Sequence, residues 1–229
     1  MKIVKIKSAL ILLLVFIFHS GIYSQSYRNA FPYFYDIKPL DVNYIDMPFN
    51  NYGFLSMTNN NYPPVIWSRF ASDMVVYEEG LFFIGKINKE IYLSEAMWGS
   101  QYSPGPIIDN KAAMISHPED SVKYRVYKIT KGDKSNTNID VSQWPFQWGA
   151  PSAGDNKIKL FDDQMLWTVY NGFDPNGKAP VSPARVKYPP QPVEVHQNAF
   201  AFNKNNGSLP GYLGDVVFLE YTVINKGKD

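Results

Sequence analysis

Four aspartates and a row of aromatic rings are the residues of this chain best equipped for chemistry. Asp155, Asp162, Asp163 and Asp174 gather around two tryptophan-bearing runs, Trp144-Pro145-Phe146-Gln147-Trp148-Gly149-Ala150-Pro151 and Phe161 to Asn171. Two carboxylates held on either side of a glycosidic bond can hydrolyse it. Carboxylates combined with carbonyl oxygens bind calcium, which makes Asp162, Asp163 and Asp174 the candidate metal ligands and calcium the candidate cofactor. Asp174-Pro175-Asn176-Gly177 has the flavour of a calcium loop but neither its spacing nor its closing Glu. The plainer role of such loop acids is to cap turns by hydrogen bonding backbone amides.

The rings offer recognition instead of reaction. Trp144, Phe146 and Trp148 alternate, and in an extended segment they share one face. With Trp167 and Tyr170 they form the candidate binding set, a platform for stacking on sugar rings or anchoring a protein. The competing reading is that the same rings close the end of a core, since Trp is highly buried on average.

Other chemistries lack their signatures. Beyond the leader the histidines are His117 and His196, far apart and each isolated, whereas zinc wants three or four ligands. His196 reads as a mid-strand residue and His117, before Pro118, as a turn residue. No Gly-x-Ser-x-Gly elbow and no glycine-rich loop opening a helix is present. The cysteine count is 0, which removes thiol catalysis and cysteine-bound metals.

The elements that must position these residues are mostly strands. Aromatics make up 16% of the chain, alongside 17 Pro and 15 Gly, the mixture expected of pleated surfaces joined by tight turns. Residues 1–24 read as a signal peptide, with Lys2, Lys5 and Lys7 before the apolar run Ala9 to Phe18. That run is short of the roughly 20 residues a span needs, and a retained anchor is the rival reading. Cleavage takes three of the 22 basic residues and none of the 21 acidic ones, leaving 19 against 21, a net of −2. A near-neutral surface gives no electrostatic footprint for nucleic acid.

Residues 25–64 read as an irregular, aromatic-rich arm lying across residues 65–229, a β-sandwich domain. Strands are expected at Val65-Ile66-Trp67 and Met74 to Tyr77, and a hairpin over Leu81 to Ala96 with Asn88-Lys89 as its two-residue turn. A helical turn is expected at Lys111 to Ile115. Further strands are expected at Val122 to Ile129, Val193 to Phe202 and Asp215 to Asn225. The last carries apolar groups on both faces and reads as a central strand. The fold class is therefore all-β, an antiparallel sandwich of jelly-roll or immunoglobulin-like kind with long loops and little helix. Lys226-Gly227-Lys228-Asp229 follow directly on a strand. The chain is expected either to continue into further domains or to end at a sheet edge.

Trp144-Pro145, Gly149-Ala150-Pro151, Asp163-Gln164, Trp167, Tyr170-Asn171 and Asp174 together resemble a pattern in N-terminal regions of large exported bacterial proteins. Those proteins carry a C-terminal type IX secretion sorting domain, sometimes with fibronectin-like modules. Gly80 to Gly85 and Asp215 to Asn225 are similar to that group too. The pattern departs where Asp162 replaces the group's usual Gly. The resemblance implies secretion or display on the outer cell surface and brings no activity with it.

The expected function is a secreted or cell-surface β-sandwich module with a binding or structural role. Its partner would be a glycan or a neighbouring domain outside the cell, with no nucleic acid, no membrane contact after leader removal and no catalysis. The alternative is an exported glycan-active hydrolase with its acids among Asp155, Asp162, Asp163 and Asp174.

Overall fold

An eight-residue strand with every side chain buried, β13 (Gln164–Asn171), forms the spine of the molecule. The computed structural model describes residues 36–57, 64–68, 73–87, 89–96, 102–113, 118–173, 190–205 and 207–227. On one side β13 pairs with β14 (Val193–Ala201), which pairs with β15 (Phe218–Asn225). On the other it pairs with β12 (Tyr127–Thr130) and, further along, with β9 (Ser103–Pro104). All these pairings are antiparallel.

A second sheet in the order β1-β2-β4-β5 is built from β1 (Ile37–Leu40), β2 (Ile45–Asn50), β4 (Val65–Trp67) and β5 (Met74–Val76). Three two-stranded pairs complete the strands. They are β3 (Phe54–Met57) with β6 (Glu78–Gly80), β7 (Phe82–Ile87) with β8 (Glu90–Glu95), and β10 (Ile107–Ile108) with β11 (Lys111–Ala112). Among the described residues, helix is confined to α1 (Pro118–Lys123), α2 (Ile139–Ser142) and two 3-10 turns, Phe146–Trp148 and Gly211–Asp215. The architecture is an antiparallel, all-β, sandwich-like fold with little helix.

Side chains alternate across a strand, so β13 divides its burial between two faces. Leu166 joins Ala199, Leu40, Phe49 and Val65 between the two sheets. Tyr170 and Val195 continue that layer with Tyr52, Phe54 and Tyr102. On the opposite face Met165, Trp167 and Val169 are covered by Trp144, Ala150 and Tyr127.

Several expectations change. Residues 37–57 hold three strands joined by short turns, not an irregular arm: β2 pairs with both β1 and β4, and Phe49 is a core residue. The Pro and Asn residues that made this stretch look irregular sit within or beside its strands, as Pro48 pairs with Pro39. Residues 25–35 lie outside the described residues, as does the leader. The strand expected over Val122 to Ile129 begins only at Tyr127, because α1 occupies Pro118–Lys123. Proline is well placed there, since the first helical position has no partner for an N–H. Lys111-Ala112 is a strand that turns back on Ile107-Ile108 instead of a helical turn.

β15 lies at a sheet edge, pairing only with β14 among the described residues. Its two apolar faces have a different origin from central placement. Leu219 and Tyr221 pack inward, while Phe218 stacks on Phe200 with ring centroids 5.2 Å apart. The hairpin matches expectation: Ile87 pairs with Glu90 across a two-residue loop, with Lys89 at φ 74.

Candidate functional site

Four of the five rings expected to form a platform gather in one cluster that closes the core, with buried Trp144 and Trp167 6.2 Å apart and half-buried Phe146 and Trp148 against them, while Tyr170 belongs to another cluster. Pro145 and Gly149 bracket a 3-10 turn over Phe146–Trp148, with Gly149 at φ 85 and its N–H donating to the Phe146 carbonyl at 3.0 Å. An extended run would have put Trp144, Phe146 and Trp148 on one face, and the turn prevents it. Trp144 is 4% exposed, its Nε1–H donating to the Pro151 carbonyl at 3.1 Å. Trp148 is half-buried, its ring 5.2 Å from that of Tyr124. Trp167 and Tyr170 are fully buried, and an odd spacing sends them to opposite faces of β13.

The acids serve turns. Asp163 accepts from Lys131 Nζ at 3.1 Å and from the Asn203 amide at 2.9 Å, tying the loop after β12 to the loop after β14. Asp162 Oδ1 accepts from the Asp163 amide at 3.0 Å. Burial, and then the charge of Asp163, pushes the Asp162 carboxyl above the ordinary carboxylate range. Asp155 is exposed in a turn at φ 49. Asp174 and His117 lie outside the described residues. Among the described residues, no three His, Cys, Asp or Glu side chains group as they would around a metal ion.

His196 is more engaged than its sequence context implied. Its Nε2 lies 2.9 Å from Glu194 Oε1, and its ring meets Trp167 edge-on at 5.6 Å. Glu194 also accepts the Ile107 amide at 2.6 Å and faces Lys226 Nζ at 3.3 Å. Burial alone would raise the Glu194 carboxyl, but these partners outweigh it and hold it below its ordinary value. The pair fastens β14 to the β9–β10 loop and to the end of β15.

Exposed rings lie elsewhere, on segments that are bonded to one another. Tyr44, just before β2, Trp67, ending β4, and Tyr212, in the 3-10 turn before β15, are 36%, 49% and 67% exposed. The β2–β4 register sets Trp67 opposite Ile45, the neighbour of Tyr44. Trp67 Nε1–H donates to Asp215 Oδ1 at 2.7 Å, which joins β4 to the turn that carries Tyr212. The Tyr44 amide donates to the Gly214 carbonyl at 2.9 Å, and Asn43 Nδ2 donates to the Val216 carbonyl at 2.8 Å. Gly214 leaves room for this approach, since a Cβ there would come within 3.2 Å of the Tyr44 ring, a tight contact. Lys204 Nζ stands 5.0 Å above the same ring.

These bonds join the segments that carry the three exposed rings, with the Asp215 carboxylate on the Trp67 ring nitrogen and the Lys204 ammonium over the Tyr44 ring. Such groups can stack on apolar ring faces while the carboxylate accepts hydrogen bonds from hydroxyls and the ammonium donates to them. No local signal marks these residues in the sequence, since they come from three separate stretches of the chain. Among the described residues no helix is long and apolar enough to cross a membrane. No protein-family model, curated protein or solved structure matches this chain.

Proposed function

We propose that this chain is an exported, non-catalytic β-sandwich module that binds a glycan on the Tyr44, Trp67 and Tyr212 surface. The observation that supports this reading is the Trp67–Asp215 hydrogen bond, which ties one exposed ring to the turn that carries exposed Tyr212, while Lys204 stands over the exposed Tyr44 ring. Sugars present apolar C–H faces and hydroxyl edges together, and this surface offers a counterpart to each. The aspartates proposed for glycan hydrolysis or calcium include Asp163, whose oxygens already accept from a lysine and a backbone amide.

Retention on immobilised polysaccharides of varied linkage tests the reading. Wild-type protein is expected to be retained by at least one polysaccharide, and Trp67→Ala and Tyr212→Ala to weaken retention at least about tenfold, the usual effect of losing an aromatic anchor. No retention on any polysaccharide, or retention unchanged by both substitutions, would overturn it.

A second reading, contact with a neighbouring domain, draws on the β7–β8 hairpin. Phe82, Ile84 and Ile91 are 51%, 60% and 60% exposed. The register and the alternation put Phe82 and Ile84 on one face, with Ile91 opposite Lys86 on the same side. Protection of Ile84 and Ile91 amides from hydrogen exchange in a longer natural chain, relative to this one, would support that contact.

A further inference from the structure

The central sheet ends on an open edge. β15 pairs along its length with β14 and, among the described residues, with no other strand. Lys226 N–H donates to the Pro192 carbonyl at 2.7 Å, one step beyond the Val193–Asn225 pair. Main-chain groups alternate sides along an antiparallel strand, so those of Leu219, Tyr221 and Val223 point away from β14. Edges of this kind invite pairing with another chain and are ordinarily blunted by proline, lysine, a bulge or shortness. β15 has none of these over its eight residues. Its one charge is turned back onto its own sheet, where Glu220 Oε2 accepts from Asn198 Nδ2 at 3.0 Å. Val223 is 42% exposed, although it shares a face with Leu219 and Tyr221, which pack into the core.

We propose that β15 pairs antiparallel with β15 of a second copy of this chain, about a two-fold axis through Tyr221, and so joins two central sheets into one. A two-fold pair of identical chains needs a strip that is complementary to itself under that rotation. Phe218 to Ile224 supply one, because residue character is mirrored about Tyr221: Phe218, Leu219 and Glu220 precede it, and Thr222, Val223 and Ile224 follow. Residues directly opposite in an antiparallel pair share a face. The axis therefore sets Leu219 against Val223 of the second copy on the core face, and Phe218 against Ile224 of the second copy on the other face, twice each. The exposed Val223 gains an apolar neighbour. Each Glu220 meets a Thr222 hydroxyl, which can donate to it. The outward N–H and C=O groups of Leu219, Tyr221 and Val223 meet their counterparts across the axis. Moving the axis by one residue sets Glu220 against Glu220 in one direction and against Ile224 in the other, and both are poor pairs. A strand of another protein would have to match this order independently, whereas a second copy matches it by symmetry.

This contact does not depend on glycan binding. In sedimentation equilibrium the wild-type protein is expected to show a reversible monomer–dimer equilibrium with a dissociation constant on the order of 10 µM, since one strand pairing makes a small interface. Val223→Lys sets an ammonium against Leu219 at both ends of the pairing and is expected to weaken dimerisation at least about tenfold. A monomer at every concentration up to about 500 µM, or a dimer unaffected by Val223→Lys, would overturn the proposal. The register has its own test, which also decides if Val223→Lys fails to fold. The chain has no cysteine, so introduced thiols can join only each other. Glu220 and Thr222 are exposed, and the register puts them opposite one another across the axis, within reach of a disulfide. Two copies of Glu220, or of Thr222, are diagonal neighbours about 7–8 Å apart, beyond that reach. Mild oxidation of Glu220→Cys mixed with Thr222→Cys is expected to give chiefly the mixed disulfide, and each protein alone little covalent dimer. No mixed disulfide, or no preference for it over like-with-like pairs, refutes the pairing.

Discussion

Asp140 shows how single residues hold this molecule together. It is buried, and it takes Lys38 Nζ at 2.5 Å, Arg125 Nε at 2.7 Å and the Lys128 amide at 2.9 Å. One carboxylate therefore joins β1, β12 and the helix α2 that carries it. Arg125 lies over the Tyr127 ring at 4.3 Å, and burial pushes the Tyr127 hydroxyl up to about 12. Burial would raise the Asp140 carboxyl as well, but the hydrogen bonds from Lys38, Lys128 and Arg125 prevail and lower it. A carboxyl lowered on folding stabilises the protein above its unfolded pKa, near 3.9, and that contribution is lost as pH falls through the folded value. Urea midpoints are therefore expected to hold from neutral pH down to the ordinary carboxylate range and then drop, with Asp140→Asn shallower in that drop. Asp140→Ala strands a buried guanidinium and is expected to cost about 3–5 kcal/mol in urea denaturation.

At the scale of elements, caps and glycines decide where strands stop. Asn138 caps α2: its Oδ1 accepts the Asp140 amide at 2.8 Å, while its Nδ2 donates to the Lys128 carbonyl at 3.1 Å. Asn138→Ala is expected to cost about 1–2 kcal/mol, measured in the same urea series. Gly53 combines φ 91 with an approach of 2.6 Å between a built Cβ and the Tyr170 ring. Gly53→Ala meets both penalties, a strained backbone and an overpacked core, and is expected to lower stability by about 2–4 kcal/mol. A loss under about 0.5 kcal/mol would mean that the Tyr170 ring moves aside at little cost.

Some elements were legible because their signals are local. The Asn88-Lys89 turn announced β7 and β8, and β14 falls within the strand expected over Val193 to Phe202. The tryptophan run misled because alternation alone does not establish an extended backbone. Pro145 and Gly149 close it into a turn, and Trp144 then goes inward.

At the scale of the whole molecule, chain order conceals how the layers are shared. Leu40 and Phe49 in the first described strands pack in one cluster with Leu166 and Ala199 from the central sheet. The stretch before Val65 is thus structural, and a chain begun at Val65 is expected to lose cooperative urea unfolding and its near-ultraviolet circular dichroism. Cooperative unfolding of that shortened chain would contradict this picture of the core. The same non-local assembly hid the ring surface. The segments carrying Tyr44, Trp67 and Tyr212 are brought together by the β2–β4 register and the bond from Trp67 to Asp215. Fold class follows from composition and turn spacing, whereas a site made by register cannot be seen until the strands are paired.

The most direct test sets the exposed ring against the half-buried one. Binding to a polysaccharide that retains the wild-type protein is measured by titration calorimetry for Trp67→Ala and Trp148→Ala, with thermal melts confirming that both remain folded. The ring surface predicts at least about tenfold weaker binding for Trp67→Ala and affinity within about twofold of wild type for Trp148→Ala. Undiminished binding by Trp67→Ala with loss in Trp148→Ala would contradict it and return recognition to the tryptophan run.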